Sequence, residues 1–322
     1  MRYTRLGRTD LNVSVLALGT WAFGGEWGSF DKADAQSAIN SALEQGITLF
    51  DTAQAYGFGV SERLLGESLW QRVRRDDVVV ATKGGLRMDG TNLVRDAGAR
   101  WLRAGVEASL RNLATDYIDL YQVHWPDPAT PAEETVAVLV QLVAEGKIRH
   151  YGVSNYDTKQ LGELNQHGQV ETLQPPYHMF RRDIEAEVLP YTAANDIGVL
   201  AYGPLAHGLL GGRMRAETTF PPDDWRSHSP DFGADTFRRN LAVVARLNSF
   251  AGERGIGLPQ LAIAWTLNNP AVDVAIVGAR RASQLDALMP AVDVELSARD
   301  VETIDAILSD AAPVTGPAPE GM

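Results

Sequence analysis

The run Ile47–Gly57 reads ITLFDTAQAYG, a short apolar stretch that stops on an aspartate and turns into a segment carrying a tyrosine. The pattern recurs as VVVATKG at Val78–Gly84 and IDLYQVH at Ile118–His124, where each apolar run leads into an ionisable residue. Runs of this length, rich in Val, Ile and Leu, suit buried strands, and the longer segments between them carry helical periodicity. Working outward, the expected strands are Val15–Leu18, Ile47–Phe50, Val78–Thr82, Ile118–Gln122, Ile148–Gly152, Val170–Leu173, Val199–Ala201 and Val274–Ile276. Helices are expected between them, among them Lys32–Gln45, Ala99–Leu113, Pro131–Ala144 and Thr236–Arg254. Strand and helix alternating eight times in 322 residues favours an α/β fold closed into a (β/α)8 barrel, the TIM-barrel architecture, over an open sheet.

Ahead of the first strand, Tyr3–Val15 holds a GRTDLN turn between two short alternating runs, which predicts a β-hairpin capping the barrel's lower end. After the eighth strand come helices near Ser283–Leu288 and Ala298–Leu308, the second an addition to the barrel. A tail over residues 311–322, rich in Pro and Gly, is expected to be flexible. No shift of composition marks a linker, so residues 1–322 are read as one domain. Irregular stretches are expected at Gly84–Gly98 and Tyr202–Asp235, at the barrel end where long loops carry function.

Composition narrows the function. With 41 acidic against 29 basic residues and a formal charge of -12, and no basic stripe, a nucleic-acid partner is not expected. The absence of cysteine excludes a disulfide framework, thiol catalysis, Fe–S clusters and cysteinyl zinc. The six histidines show no HExxH or HxH pairing, so no metal is expected. Nothing approaches the ~20 apolar residues of a membrane span. The chain reads as a cytoplasmic protein acting on a small molecule.

Four polar residues fall at the C-terminal ends of neighbouring strands, where barrel active sites are built. They are Asp51 after ITLF, Tyr56 in the following loop, Lys83 after VVVAT, and His124 after IDLYQV. Singly, each has an ordinary reading: a helix cap, loop contact, a solvated charge, a satisfied core histidine. As a set they have one chemistry. Tyrosine, with a reference pKa near ~10, donates a proton poorly until an adjacent ammonium stabilises its phenolate. Lys83 supplies that charge, Asp51 keeps it protonated, and His124 orients a carbonyl oxygen and stabilises charge developing there. The set lacks an electrophile or nucleophile of its own, and GVSNY around Ser154 misses the GxSxG pattern. A nicotinamide cofactor delivering hydride would complete it.

Two further loops ask for phosphate. AYGPLAHGLLGGR follows the seventh expected strand, and VGARRASQ follows the eighth, placing Arg280 and Arg281 at the start of a helix. A flexible surface loop and a solvated basic pair are the plain alternatives. GFGVSE at Gly57 has Glu62 where a dinucleotide fingerprint needs its third glycine, and it follows a loop, so it is not read as one.

These motifs resemble the aldo-keto reductases over nearly the whole chain: FDTAQAYGFGVSE from Phe50, the strand ending in TKGG, LYQVHWPDP, YGVSNY, AYGPLAHGLLGGR and VGARRASQL stand in that family's order and spacing. The nearest likeness is to bacterial reductases related to the potassium-channel β subunits. The resemblance implies a (β/α)8 barrel binding extended NADPH, with Asp51, Tyr56, Lys83 and His124 as catalytic tetrad. It also implies Thr20, Trp21 and Asp51 at the nicotinamide end, and Ser154, Asn155 and Gln174 on the carboxamide. Tyr202 would stack under the ring, and Gly203, Pro204, Leu205 through Gly212 and Arg213 would bind pyrophosphate. Gly278, Arg280, Arg281 and Gln284 would surround the 2′-phosphate and adenine, favouring NADPH over NADH.

Two positions depart from the family. Gly203 stands where serine is common, removing one side-chain contact to the cofactor, and Leu288 stands where asparagine often meets adenine. Trp27, Trp125 and the loop holding Trp225 and His228 are expected around the substrate, with plain packing as the equal alternative for the aromatics. The expected function is reversible reduction of aldehydes or ketones to alcohols, with Tyr56 as general acid. The alternative implied by the channel relatives is a cofactor-binding redox sensor or regulatory subunit acting through a protein partner.

Overall fold

The computed structural model describes residues 1–25, 30–222, 224–312 and 314. Trp27 and most of the 311–322 tail lie outside the described residues. The strands are β1 (Tyr3–Arg5), β2 (Asn12–Ser14), β3 (Leu16–Gly19), β4 (Leu49–Asp51), β5 (Val79–Gly84), β6 (Leu86–Asp89), β7 (Asn92–Arg95), β8 (Ile118–Val123), β9 (Ile148–Ser154), β10 (Thr172–Gln174), β11 (Gly198–Tyr202) and β12 (Val274–Gly278). The helices are α1 (Lys32–Glu44), α2 (Val60–Leu69), α3 (Ala99–Leu113), α4 (Ala132–Ala144), α5 (Thr158–Leu164), α6 (Val188–Ala194), α7 (Ala234–Glu253), α8 (Leu258–Leu267), α9 (Ala282–Asp286) and α10 (Ala298–Leu308).

Strands β3, β4, β5, β8, β9, β10, β11 and β12 pair in parallel and in that order, and β12 pairs back to β3, closing the expected (β/α)8 barrel. Alternation along each strand explains what fills it. Ala17, Leu49, Ala81, Leu120, Leu200 and Val274 point inward and form one buried cluster with Leu6, Leu11 and Val13 of the N-terminal hairpin. The hairpin β1–β2 therefore plugs the lower end. Its turn runs so close to β11 that a side chain on Gly7 would collide with the backbone of Gly198.

One residue pair further along the same inward faces, apolar gives way to polar. Two positions beyond Leu49, Ala81 and Leu200 stand Asp51, Lys83 and Tyr202, joined by Gln174 at the end of β10. The expected strands stop at the end of the apolar runs, but the ladder continues into this polar layer: Asp51 pairs with Gly19 and Ala81, and Lys83 with Gln122. Asp51 and Lys83 thus lie within strands, held by backbone pairing, and only His124 and Tyr56 stand beyond them.

Several other boundaries shift. Gly84–Gly98, expected to be irregular, contains the antiparallel hairpin β6–β7, tied down by the Trp101 Nε1–H donating to the Leu86 carbonyl at 3.1 Å. Among the described residues Tyr202–Asp235 contains three short 3-10 turns, and contacts of Phe220, Trp225 and Phe232 with one another and with Phe237 pack it onto α7. Helix α8, unanticipated, is apolar nearly all round and buried along most of its length, so it lacks the amphipathic stripe that marks the others. Among the described residues no helix is long and apolar enough to cross a membrane, and no group of three or more His, Asp or Glu side chains is placed to hold a metal.

Candidate active site

A cleft of about 530 Å³ opens at the C-terminal end of the barrel. At its inner end Lys83, fully buried, donates from Nζ to Asp51 Oδ2 at 2.7 Å, to the Thr52 carbonyl at 3.1 Å and to the Tyr56 hydroxyl at 3.3 Å. A buried ammonium is tolerable only where such acceptors replace water. The Tyr56 ring is stacked on Trp21 at 6.2 Å and meets the His124 ring edge-on at 5.9 Å. Its backbone is set by a sharp turn in which Gly57, Phe58 and Gly59 all have positive φ, and a side chain on Gly57 would run into the Gly24 carbonyl. The sequence-predicted Asp, Tyr, Lys and His are thus brought together.

A hydrogen-bonded chain runs on from Asp51. Gln174 Nε2 donates to Asp51 Oδ1 at 2.8 Å, and Ser154 Oγ donates to the Gln174 carbonyl at 2.8 Å. Asn155, itself at φ 66°, donates from Nδ2 to Ser154 Oγ and to the His124 carbonyl, both at 3.1 Å. Its Oδ1 accepts the Tyr202 hydroxyl at 2.8 Å. Every donor here is pre-aimed, which fixes the ring of Tyr202 on the cleft wall.

Of the residues expected to hold a cofactor, Trp21, Asp51, Gln174 and Tyr202 line the inner cleft. Gly203, Pro204, Leu205 and Arg213 line its middle, and Gly278, Arg280 and Gln284 its outer end. Ser154 and Asn155 stand behind this lining, and so does Thr20, whose hydroxyl bonds the Asp51 carbonyl at 3.0 Å and buttresses β4. Gly212 and the exposed Arg281 do not line the cleft. Linear reasoning missed Arg226, which lines the cleft from the long loop, 3.0 Å from Asp224 Oδ1 through Nε and 3.1 Å from the His207 carbonyl through Nη1. No local motif marks it. His207 also lines the cleft, whereas Trp225 packs behind His207 at 5.0 Å, and His228 is exposed beside the Pro222 carbonyl. Trp125 is buried beneath Arg95, whose guanidinium lies 5.0 Å from its ring.

The outer cleft is cationic. Burial and the nearby Arg226 both work against the charged form of Arg280, with Asp224 opposing them. Such a site favours an anionic ligand that relieves the repulsion. Leu288, largely buried, makes the outermost wall apolar.

Comparison with known proteins agrees with the geometry. Residues 15–309 match the profile of the aldo/keto reductase family. The chain is 44% identical over 312 residues to the aldo-keto reductase YhdN of Bacillus subtilis, covering 96% of this chain and 94% of that protein. It is 34% identical over 316 residues to the NADH-specific methylglyoxal reductase of Escherichia coli, covering 93% and 96%. Its fold superimposes on the structure of the glycerol dehydrogenase AKR11B4 from Gluconobacter oxydans with a TM-score of 0.89 at 38% identity, over 99% of this chain and 98% of that one. With the barrel, the buried lysine–aspartate pair and these matches in hand, the chain is placed in the aldo/keto reductase family.

Proposed function

We propose that the protein is an NADPH-dependent carbonyl reductase, acting reversibly on aldehydes or ketones with Tyr56 as the proton donor. The observation that carries this reading is the position of Lys83 Nζ, between Asp51 Oδ2 and the Tyr56 hydroxyl, at the inner end of a cleft that Arg213, Arg226 and Arg280 also line. Gln174, Asn155 and Tyr202 would hold the nicotinamide, residues Gly203 to Arg213 the pyrophosphate, and Arg280 with Gln284 the adenosine 2′-phosphate. A bound reduced nicotinamide supplies the hydride that goes to the carbonyl carbon.

Protein groups handle the oxygen. Tyr56 gives its proton to the carbonyl oxygen as charge develops there, and the Lys83 ammonium stabilises the charge left on the phenol oxygen. Asp51, anchored by Gln174, sets a carboxylate against that buried ammonium. His124, edge-on to Tyr56, borders the position the carbonyl oxygen takes. Trp21 and Tyr56 make this end of the cleft largely apolar, which strengthens each electrostatic contact.

Single-turnover mixing of protein preloaded with NADPH or NADH against a panel of aldehydes and ketones tests the reading. Loss of the reduced-nicotinamide signal with at least one carbonyl is expected, with NADPH bound at least about tenfold more tightly, since a charge-assisted contact to the 2′-phosphate contributes roughly 1.5–3 kcal/mol. Tight binding with no turnover on any carbonyl would overturn the reductase reading. Preference for NADH, the cofactor named for the Escherichia coli relative, would overturn the assignment of the outer arginines.

A further inference from the structure

We infer that His207 is a titratable contact for the anionic middle of the bound cofactor, so that nucleotide binding draws a proton onto this side chain and is tighter in acid than in alkali. The inference rests on the cofactor reading above. His207 lines the cleft between the Tyr202 platform and Arg280, and it is half-buried. Its backbone is left-handed at φ 54°, between Ala206 at φ 47° and Gly208 at φ 97°. Non-glycine residues hold that conformation at a cost, and they concentrate at ligand sites.

The ring is fixed as firmly as the backbone. Trp225 meets it edge-on at 5.0 Å and His178 at 6.1 Å, while Arg226 holds its carbonyl. This places the Cε1–Nε2 edge over the bare face of Gly203: a Cβ there would lie 3.5 Å from Cε1 and 3.8 Å from Nε2. The imidazole edge thus stands beside the space where residue 203 offers no side chain of its own.

The charged groups around it set the sign. From the long loop comes Arg226, paired with Asp224; from β12's end, Arg280; from its own loop, Arg213; and from the segment after β10, His178 with Arg181. His178 is fully buried, and that burial, with His207 and Arg181 nearby, holds its imidazole well below the usual range, so it stays neutral. A phosphate beside the ring favours the imidazolium over the neutral imidazole.

The test is nucleotide affinity by fluorescence and proton uptake by calorimetry in buffers of different ionisation enthalpy, from about pH 6 to about pH 8. The wild-type Kd should rise about fivefold across that range, part of the tenfold limit set by a one-unit shift in an imidazole pKa. NADH is measured beside NADPH because a phosphomonoester itself titrates near pH ~6. His207→Asn, a residue tolerant of positive φ, should bind weakly at both ends of the range, and His207→Arg should bind tightly at both. A wild-type pH profile retained by His207→Asn, or binding without proton uptake, overturns the inference alone. Failure of the folded wild-type protein to bind either nucleotide would overturn the cofactor reading and this inference together.

Discussion

At the upper end of the barrel Lys83 bridges Asp51 and Tyr56 beside an open cleft; toward the lower end Asp119, also buried, is held by Arg75 at 2.6 Å. Each joins a cation to a buried aspartate on a barrel strand, yet their remaining hydrogen-bonding capacity goes to different places. Asp119 accepts the Val80 amide at 2.8 Å, and Arg75 bonds the carbonyls of Val78 and Tyr117. The Arg75 guanidinium also lies 3.9 Å from the centre of the Tyr117 ring. Everything there is closed onto the protein itself. Lys83 turns one contact toward a hydroxyl that faces ligand space. Burial and charge are common to both pairs; the direction of the last donor is what sets the upper one apart.

The comparison is broken most sharply by deleting single atoms at the upper end. Tyr56→Phe should lower turnover by about 10²–10⁴-fold, the range for loss of a positioned general acid, while nucleotide affinity and the urea midpoint stay near wild type. Steady-state kinetics with equilibrium unfolding checks both halves, and retained turnover would mean that another group donates the proton. Arg75→Met should do the reverse. It leaves Asp119 buried with only the more distant Arg149 at 3.4 Å, and should cost about 3 kcal/mol at neutral pH with turnover per folded molecule unchanged. Burial already pushes the Asp119 carboxyl up despite Arg75. Losing that cation raises it further, so part of the lost stability should return as pH falls and the carboxyl is protonated. Unfolding curves at two pH values measure this.

The same contrast explains what the sequence made legible. Asp51, Lys83 and His124 could be found because a polar residue ending an apolar run interrupts a pattern, and barrel geometry sends such residues to one end. Asp119 breaks the pattern too, within YIDLYQV, but faces outward, and its role depends on Arg75 and Val80 from elsewhere in the chain. Arg226 and His207 enter the cleft through a loop whose path is set by an aromatic cluster, which no spacing encodes. Helix α8 was hidden by being apolar on every side, and the β6–β7 hairpin by a short MDGTN turn inside a stretch read as loop.

A smaller effect is expected at the lower end from Asp273, which accepts the Val199 amide at 2.8 Å. Burial, with the charge of Asp196, pushes its carboxyl up to about 6, against the Val199 amide and Arg5. The folded value lies above the unfolded 3.8, so ionisation disfavours the fold: stability is greatest at low pH and declines as pH rises toward neutrality. Asp273→Asn keeps an acceptor for the amide without the charge. It should be more stable than wild type at neutral pH by on the order of 2 kcal/mol and indistinguishable from it near pH ~4. Equal stability of the two proteins at neutral pH would show that the carboxylate is ionised there without cost.

The smallest expected effect concerns the clasp on the hairpin plug. His150 meets Glu171 through Nδ1 and Asp10, in the hairpin turn, through Nε2, each at 2.8 Å, while Glu171 also takes the Tyr151 amide. Burial opposes a charge on this imidazole, but the bonds to Glu171 and Asp10 outweigh it and hold the ring above its usual value. Only the doubly protonated ring can donate to both carboxylates; the neutral ring has one donor, and its second nitrogen faces an acceptor. Because the folded value exceeds the unfolded 6.5, the contribution is fully present below that pH and is lost as pH rises through the folded value. His150→Gln should therefore be less stable than wild type by roughly 1 kcal/mol in mild acid, the gap closing in alkali, since Asp10 is well exposed and its share is screened. Urea unfolding of both proteins across that range is the measurement. A gap independent of pH would make the clasp a matter of shape, and turnover altered by this variant would show that the two ends of the barrel are coupled.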